Sequence, residues 1–281
     1  MGEFTNKIDF EVLIMVKNAN PNGDPLNGNR PRETYDGFGE ISDVCIKRKI
    51  RNRLQDMGEK IFVQSDERSD DECRSLAERA KKNADMQKAL KDKNKDAYAK
   101  AACETWIDVR SFGQVFAFKD DSVSVGVRGP VSIHSAFSVL PVSINSMQIT
   151  KSVNSETKEK KSSDTMGMKH KIYSALYVVK GSINHQLAGK TGFSDEDAVK
   201  IKEALRTLFV NDSSSARPDG SMEVCKVYWW KHNCPMGQYS SAKVHRLIKI
   251  SARTDDPKEF EDYDIVIDTL PDLMLEEIEG I

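Results

Sequence analysis

The chain has 281 residues, with a hydrophobic content of 38% and a charged content of 31%, which supports one substantial core beneath a large solvated surface. Its longest apolar run, residues 12–16, is far shorter than the roughly 20 residues of a membrane-spanning helix. No signal-peptide pattern follows the first residue. We therefore expect one cytoplasmic domain over residues 1–281, with no membrane partner.

The five cysteines stand at wide and unequal spacings, which argues against a disulfide framework and against a paired CxxC zinc module. Cys225, His232 and Cys234 are close in sequence, but the run between them is typical of a strand, which would scatter metal ligands. We expect structural thiols, no metal and no cofactor.

The net charge of −2 conceals an uneven distribution of charged residues. Residues 254–281 contain eleven acidic side chains and one lysine, a net charge of −10. Residues 1–253 therefore hold 41 basic and 33 acidic side chains, a net charge of +8. A basic body followed by an acidic C-terminal segment is compatible with nucleic-acid binding. On charge alone, a solubilising tail on an ordinary protein is an equally good interpretation.

The first predicted element is a β-strand over residues 8–16, where apolar residues alternate and the second face is partly apolar too, as in the centre of a sheet. Residues 18–40 follow, and we call them the first loop. They are packed with Asn, Gly and Pro, which favour turns and leave backbone donors free. Structured loops of this length are usually functional.

Ser42 is the predicted N-cap of a helix that begins at Asp43 and ends at Gly58. Its apolar stripe consists of Ile46, Ile50, Leu54 and Met57. Its basic residues are Lys47, Arg48, Lys49, Arg51 and Arg53. A solvated face is the ordinary interpretation of such a run. Because the first loop adds Arg30 and Arg32, we interpret loop and helix together as a surface for phosphate oxygens.

Residues 59–103 are rich in Lys, Asp and Ala with a thin apolar stripe, and they predict an inserted, exposed pair of helices. Residues 106–118 return to a core-like composition, and residues 122–127 alternate as a strand. Residues 147–171 are polar and lysine-rich, which is typical of a protruding hairpin with a mobile tip. An ordinary disordered loop fits this composition equally well.

The rest of the chain alternates strands with one more helix. Its predicted strands are residues 172–183, 222–232, 244–250 and 263–267, the last of these being the final strand of the fold. The second helix starts after Ser194, with Asp197 at the capping-box position. Strands interleaved with two well-formed helices predict an α+β fold of one sheet and one helical layer, in a βαββαβ-like order.

Six segments in this order resemble the backbone subunit of type I CRISPR Cascade complexes, and most of all that of subtype I-C. The segments are NANPNGD (residues 18–24), GNRPR (28–32), SDVCIKRKIRN (42–52), WIDVRSFG (106–113), RGPVSI (128–133) and TMGMKHKIYSALYVVKGSIN (165–184). Six ordered motifs are far more specific than any one of them.

The resemblance implies a modified RRM-like (ferredoxin-like) palm, helical fingers at about residues 59–103 and a β-hairpin thumb at about residues 147–171. The acidic residues 254–281 match no family motif. The resemblance also implies that several copies stack head to tail along one CRISPR guide RNA, without catalysis, and present the spacer to target DNA in antiviral defence. Other Cascade subunits would lie at the ends of this filament.

A subunit repeated along a guide must hold any spacer sequence, so we expect contacts to phosphate and ribose that leave the base-pairing edges free. The expected phosphate ligands are Arg30, Arg32, Lys47, Arg48 and Arg51. The expected amide donors are Asn20 and Asn22. Further RNA-binding candidates are Arg110, Lys151, Lys169 and His170. Met166 and Met168 would wedge between bases at a kink or simply pack within the thumb.

Two alternative functions stay open. An RNA endonuclease of the same fold superfamily would need an acid and a base beside a bent phosphodiester, although no such pair converges at a recognisable spacing. The residues to consider are Asp24, Asp43, His134, Lys169 and His170. A general single-strand-binding protein would carry stacking aromatics in an RNP-type pattern, which the sequence lacks.

Overall fold

The computed structural model describes residues 2–118, 124–150 and 166–281. Its strands are β1 Ile8–Ala19, β2 Gly23–Asp24, β3 Arg30–Pro31, β4 Phe38–Ile41, β5 Gly113–Phe116, β6 Val125–Arg128, β7 Val131–Ile133, β8 Ala136–Pro141, β9 Ile144–Thr150, β10 Met166–Ile183, β11 Met222–Lys231, β12 Ile248–Ala252, β13 Tyr263–Ile267 and β14 Met274–Glu279. Its α-helices are α1 Asp43–Asp56, α2 Leu76–Lys82, α3 Ala84–Lys91, α4 Lys95–Thr105, α5 Ile107–Phe112, α6 His185–Thr191, α7 Asp195–Arg206 and α8 Ser241–Val244. In these parts of the chain, no helix is long and apolar enough to cross a membrane.

The core of this mixed α/β protein is an antiparallel sheet in the order β14-β11-β1-β10-β8-β4, with β7 and β9 paired to other parts of β10. β1 lies in the middle, since it pairs with β10 on one side and β11 on the other. Every residue from Ile8 to Val16 is buried, because both faces of this strand are covered. The predicted central strand is confirmed.

One face of the sheet is covered by α1, α6 and α7. The apolar cluster between them includes Phe10, Val12, Ile14, Ile46, Ile50, Leu54, Ala188, Ala198, Ile201 and Leu205. Both predicted helix starts are confirmed: the Ser42 side chain accepts a hydrogen bond from the Cys45 N–H, and Ser194 and Asp197 form a reciprocal capping box. The short helix α6, capped by Asn184, was not predicted because its seven residues carry little apolar periodicity.

The opposite face of the sheet is covered by the C-terminal part of the chain. The apolar cluster on this side includes Leu13, Met15, Leu176, Tyr228, Trp230, Val244, Leu247, Ile248 and Tyr263. The strand predicted over residues 244–250 is partly wrong, since β12 begins at Ile248. Ser240 caps the short α8 through the Lys243 N–H, and this turn places the apolar Val244 at a helix end.

The acidic C-terminal segment is folded into the sheet. The predicted strand over residues 263–267 is confirmed as β13, but it is not the final strand, because β14 follows and pairs with β11. The sequence of β14 gave no strand signal because Glu276, Glu277 and Glu279 dominate it. Their charges are matched within the protein: Lys226 pairs with Glu277 and Glu279, and Lys202 pairs with Glu276.

The predicted insert forms a second packed unit beside α1. Its apolar cluster includes Phe62, Ala80, Met86, Ala89, Ala102, Trp106, Val109, Phe116 and Val125. The predicted pair of helices is wrong in number, because α2, α3 and α4 lie between residues 76 and 105. Asn83 and Asn94 accept hydrogen bonds from the first turns of α3 and α4 and so divide a stretch whose composition is uniformly helical.

The region predicted as a protruding hairpin contains two paired strands. β9 pairs with the first seven residues of β10 in a continuous antiparallel ladder from Ile144 opposite Ile172 to Thr150 opposite Met166. We call these two strands, residues 144–150 and 166–172, the hairpin strands. Residues 151–165, which include the candidate Lys151, lie outside the described residues, as do residues 122 and 123 of the strand predicted before β7.

Candidate nucleic-acid interface

The first loop is held in shape by its own asparagines. The Asn22 side-chain oxygen accepts hydrogen bonds from the backbone N–H and the hydroxyl of Ser42, at 2.9 and 2.7 Å. The Asn20 amide donates to the Asn29 carbonyl at 2.7 Å. Asn29 itself has φ of +60°, a conformation that Asn tolerates better than most residues. The amides predicted as RNA donors therefore fix the loop and anchor it to the start of α1.

The first loop meets the hairpin strands through one serine. The Arg30 guanidinium donates to the Ser146 hydroxyl at 2.8 Å, and Nδ1 of His170 lies 2.8 Å from the same oxygen. We call Arg30, Ser146 and His170 the loop–hairpin junction. It brings together two predicted site residues that are 140 positions apart in the sequence. Ser146 was missed, because a lone serine in a strand carries no sequence signal.

The strand register decides which side chains of the hairpin share a face with the junction. Met166, Met168 and His170 lie directly opposite Thr150, Gln148 and Ser146, so all six side chains point to one face. Lys169 lies opposite Met147 and points to the other face. Met166 and Met168 are 57% and 55% exposed, so this face presents two apolar side chains next to the junction.

The basic side chains of α1, predicted to belong to a surface for phosphate oxygens, have partners within the protein. Lys49 is buried against Asp212, and Arg51 pairs at 3.0 Å with Asp108, which is fully buried. The other basic side chains of this helix are engaged too: Lys47 pairs with Asp43, Arg48 donates to the Val63 carbonyl, and Arg53 donates to the Thr207 hydroxyl. The second packed unit lies against this side of the helix: Val63 belongs to the insert, and Asp108 follows it in α5. Contact of Lys47, Arg48 and Arg51 with RNA stays a prediction.

Arg110 is a structural residue in this fold. Its guanidinium makes two hydrogen bonds to Asp197, at 3.0 and 2.8 Å, and a third to the Cys103 carbonyl at 3.3 Å. Because Asp197 also closes the capping box of α7, this pair ties α5 to α7 inside the protein. Arg110 is 8% exposed, so its guanidinium lies in the core, and its contact with RNA stays a prediction.

On the sheet face opposite α1, α6 and α7, two large aromatic side chains are covered, whereas Phe137, which lies opposite Val178, is 45% exposed. The two covered side chains are Tyr228 and Trp230, with ring centroids 6.2 Å apart, and both are 1% exposed. The cluster that contains β12 and β13 covers them. RRM domains that stack bases use exposed aromatics on their sheet, so the covered Tyr228 and Trp230 do not bind bases in that manner.

The two acidic residues considered for catalysis, Asp24 and Asp43, have different partners within the protein. Asp24 accepts from the Leu26 N–H at 3.1 Å and lies 3.7 Å from Arg32, while Asp43 pairs with Lys47 at 3.0 Å. In the described ranges, no group of three or more His, Cys, Asp or Glu side chains is arranged to hold a metal ion.

Comparison with known proteins places these features in a family. The sequence matches the family described as CRISPR-associated protein Cas7 over residues 6–268. It is 33% identical over 115 residues to a CRISPR-associated protein Cas7 of Haloferax volcanii. That alignment covers 41% of this chain and 33% of the relative, so the chain spans about a third of the length of the curated relative it matches.

Chains from two solved structures also align with this one. A chain of a CRISPR RNA-guided surveillance complex in a pre-nicking state aligns with a TM-score of 0.47 and 17% identity, covering 80% of this chain and 75% of that chain. A chain of a second CRISPR RNA-guided surveillance complex aligns with a TM-score of 0.45 and 16% identity, covering 80% of this chain and 68% of that chain.

Proposed function

We propose that this chain, which belongs to the CRISPR-associated protein Cas7 family, is a non-catalytic subunit that binds guide RNA in a type I-C surveillance complex. Several copies stack head to tail along one guide, each holding its backbone and presenting the spacer for pairing with target DNA. Other subunits of the complex lie at the two ends of this filament.

The fold supports a modified RRM-like palm with fingers and a thumb. The elements β1, α1, β8, β10, α7 and β11 follow one another in βαββαβ order within one antiparallel sheet. The second packed unit takes the place of the fingers, and the hairpin strands take the place of the thumb. In this proposal the RNA follows the edge where the first loop meets the hairpin strands.

The loop–hairpin junction is the observation that carries the proposal. Its two basic residues share one neutral hydroxyl, and the Arg30 guanidinium keeps further donors for a phosphate. Arg32 and Lys169 add charge nearby in the sequence, and Met166 and Met168 would wedge between bases where the guide bends. Contacts of this kind bind any spacer equally, because phosphate and ribose do not differ between sequences.

The function is tested by purifying the protein from its host and sequencing the RNA that co-elutes with it. We expect RNAs with uniform repeat-derived ends and varied interiors, in a complex that contains several copies of this chain. Recovery of RNA without repeat-derived ends, or of no RNA, would sink the proposal.

The absence of catalysis is tested on the same complex. Incubation with Mg²⁺ and labelled RNA should leave the RNA intact. Cleavage that disappears in Asp24→Ala or Asp43→Ala would instead establish an RNA endonuclease.

A further inference from the structure

A cavity lies between the central sheet and β12, on the face opposite α1, α6 and α7. It has a volume of about 340 Å³, and its lining includes Glu11 of β1, Lys180 of β10, Phe137 of β8 and Ile250 of β12. We call it the sheet cavity. Pockets for small molecules span roughly 300–1,000 Å³, so it is large enough for one ligand. None of the three residues of the loop–hairpin junction lines it, so it is a separate place in the fold.

The strand register places the polar and aromatic side chains of the sheet cavity next to one another. Glu11 lies directly opposite Lys180, and Phe137 lies directly opposite Val178. Val178 and Lys180 are two residues apart in β10, so they share one face of the sheet. The carboxyl, the ammonium and the aromatic ring therefore line one continuous surface of the cavity.

The floor of the sheet cavity contains a polar atom without a partner. Glu11 is 1% exposed, and among the described residues no hydrogen bond reaches its buried Oε2 atom. The Oδ2 atom of Asp9, the neighbouring acid on the same face of β1, instead contacts Lys7 at 2.9 Å and His232 at 2.8 Å. Buried polar atoms without a partner are rare and destabilising, so a ligand that hydrogen-bonds to Glu11 would stabilise the protein.

The carboxyl of Glu11 calls for a neutral partner. Burial raises its pKa to about 8, and the Lys180 ammonium only partly opposes the rise, so the carboxyl holds its proton at neutral pH. An uncharged carboxyl presents one donor and one acceptor side by side. A ligand with an acceptor beside a donor matches it, whereas a metal ion or a cationic side chain would first have to displace the proton.

The walls of the sheet cavity suit a flat aromatic ring. Phe137 is 45% exposed, and the aliphatic residues of the lining are Val139, Val178, Ile248 and Ile250. Stacking on an exposed aromatic side chain stabilises a planar ring, and proteins that bind single strands hold bases in this way. Lys180 is half-buried beside Glu11, and its ammonium suits the phosphate that a nucleotide carries.

We propose that the sheet cavity holds one unpaired nucleobase, stacked on Phe137 with its pairing edge against the Glu11 carboxyl. All four bases have a donor next to an acceptor on that edge, so the cavity accepts any of them. This inference rests on the proposed function for RNA as the source of the base. It adds one base contact to the contacts with phosphate and ribose, and it leaves the other bases of the strand free to pair.

The first test compares salt titrations of RNA binding for single variants of the full chain, with a fluorescein-labelled single-stranded RNA as the probe. Phe137→Leu keeps an apolar side chain and removes the ring, so it should weaken binding about tenfold. The slope of log K against log salt should not change, because stacking releases no counterions. Phe137→Tyr keeps the ring and should bind within about twofold of the wild type.

Variants of Glu11 test the floor of the cavity in the same assay. Glu11→Gln keeps one donor and one acceptor and should retain binding. Glu11→Leu removes both and should weaken binding about fivefold for every RNA sequence, at an unchanged salt slope. The Tm of each variant shows whether it is folded, and the Phe137 variants decide the question if Glu11→Leu does not fold.

The second test identifies the source of the base. Calorimetric titration with AMP, CMP, GMP and UMP should give similar Kd values, weakened about tenfold in Phe137→Leu, while ribose 5-phosphate should not compete because it has no base. If only the nucleotides depend on Phe137, the cavity takes free nucleotides; if only RNA does, it takes a base of a strand.

Unchanged binding of both RNA and nucleotides in Phe137→Leu overturns the inference. The proposed function fails differently, because Arg30→Gln tests a phosphate contact and should lower the salt slope whether or not the cavity holds a base.

Discussion

Helix α1 and the loop–hairpin junction are similarly basic in the sequence, and the structure uses their charges differently. On α1, Lys49 and Arg51 pair with carboxylates inside the protein. At the junction, Arg30 and His170 contact the neutral hydroxyl of Ser146, and neither has an ion pair among the described residues. A cationic side chain that pairs with a carboxylate stabilises the fold, whereas one that donates to a neutral hydroxyl can still bind a phosphate. The density of basic residues in the sequence therefore shows where positive charge lies. It does not show which basic side chains pair with carboxylates in the folded protein.

The sharpest test of this contrast is the stability of variants in the two regions. Arg51→Ala leaves the fully buried Asp108 without its cation, although Asp108 still accepts from the Phe62 and Val63 N–H groups. We expect a loss of about 4 kcal/mol in the free energy of unfolding, measured by urea denaturation. The matched variant Arg30→Ala should lose less than about 0.5 kcal/mol. Equal losses would mean that the two regions do not differ.

A buried carboxyl without an ion pair among the described residues extends the comparison to the opposite sheet face. Glu11 is 1% exposed and lines a cavity of about 340 Å³ with Lys180 and His134. Burial raises the pKa of its carboxyl to about 8, and the Lys180 ammonium only partly opposes the rise. The folded protein therefore binds a proton more tightly here than the unfolded chain, whose carboxyl has a pKa near 4.5.

Stability should consequently fall as the pH rises from about 4.5 through about 8, because ionisation is easier in the unfolded chain. Between about pH 5.5 and pH 9, the wild-type protein should lose about 3 kcal/mol more than Glu11→Gln, which cannot ionise. Urea midpoints of both proteins across this range measure the difference. Parallel pH profiles would show that the Glu11 carboxyl is hydrated or paired in solution.

The RNA side of the comparison rests on Arg30. Arg30→Gln should lower the salt slope of RNA binding by about 0.7 and weaken binding about fivefold, a change of about 1 kcal/mol, for any RNA sequence. Lys100→Gln is the matched control, because Lys100 is 76% exposed and its one ion pair among the described residues is with its helix neighbour Glu104. A slope that falls equally in both variants would indicate general attraction to the chain in place of a site.

Local patterns in the sequence predicted the parts of the fold that depend on local chemistry. The central strand, the capping serines of α1 and α7 and the strand β11 followed from periodicity and caps alone. β14 was missed because the lysine that neutralises its glutamates, Lys226, lies about fifty residues earlier in the chain. The partners of the basic residues were missed for the same reason: Arg51 meets Asp108, and Arg110 meets Asp197.

The candidate interface was predicted in outline from the same kind of signal. An Asn- and Gly-rich loop and a lysine-rich hairpin stood out by composition, and the structure joins them through Arg30, Ser146 and His170. Composition could not show that Asn22 accepts hydrogen bonds from Ser42, the N-cap of α1, or that Lys169 points away from His170, since both depend on tertiary contacts and register.

The smallest expected effect concerns the apolar part of this surface. Met166 and Met168 are more than half exposed, so replacing both with alanine should leave the urea midpoint unchanged. If they separate bases at a bend in the guide, the double variant should reduce the fluorescence of a 2-aminopurine placed at that bend, because an unstacked base fluoresces more than a stacked one. The variant Met147→Ala changes a methionine on the opposite face of the same strands and should leave the signal unchanged. A reduced signal in Met147→Ala alone would move the wedge to the face that carries Lys169.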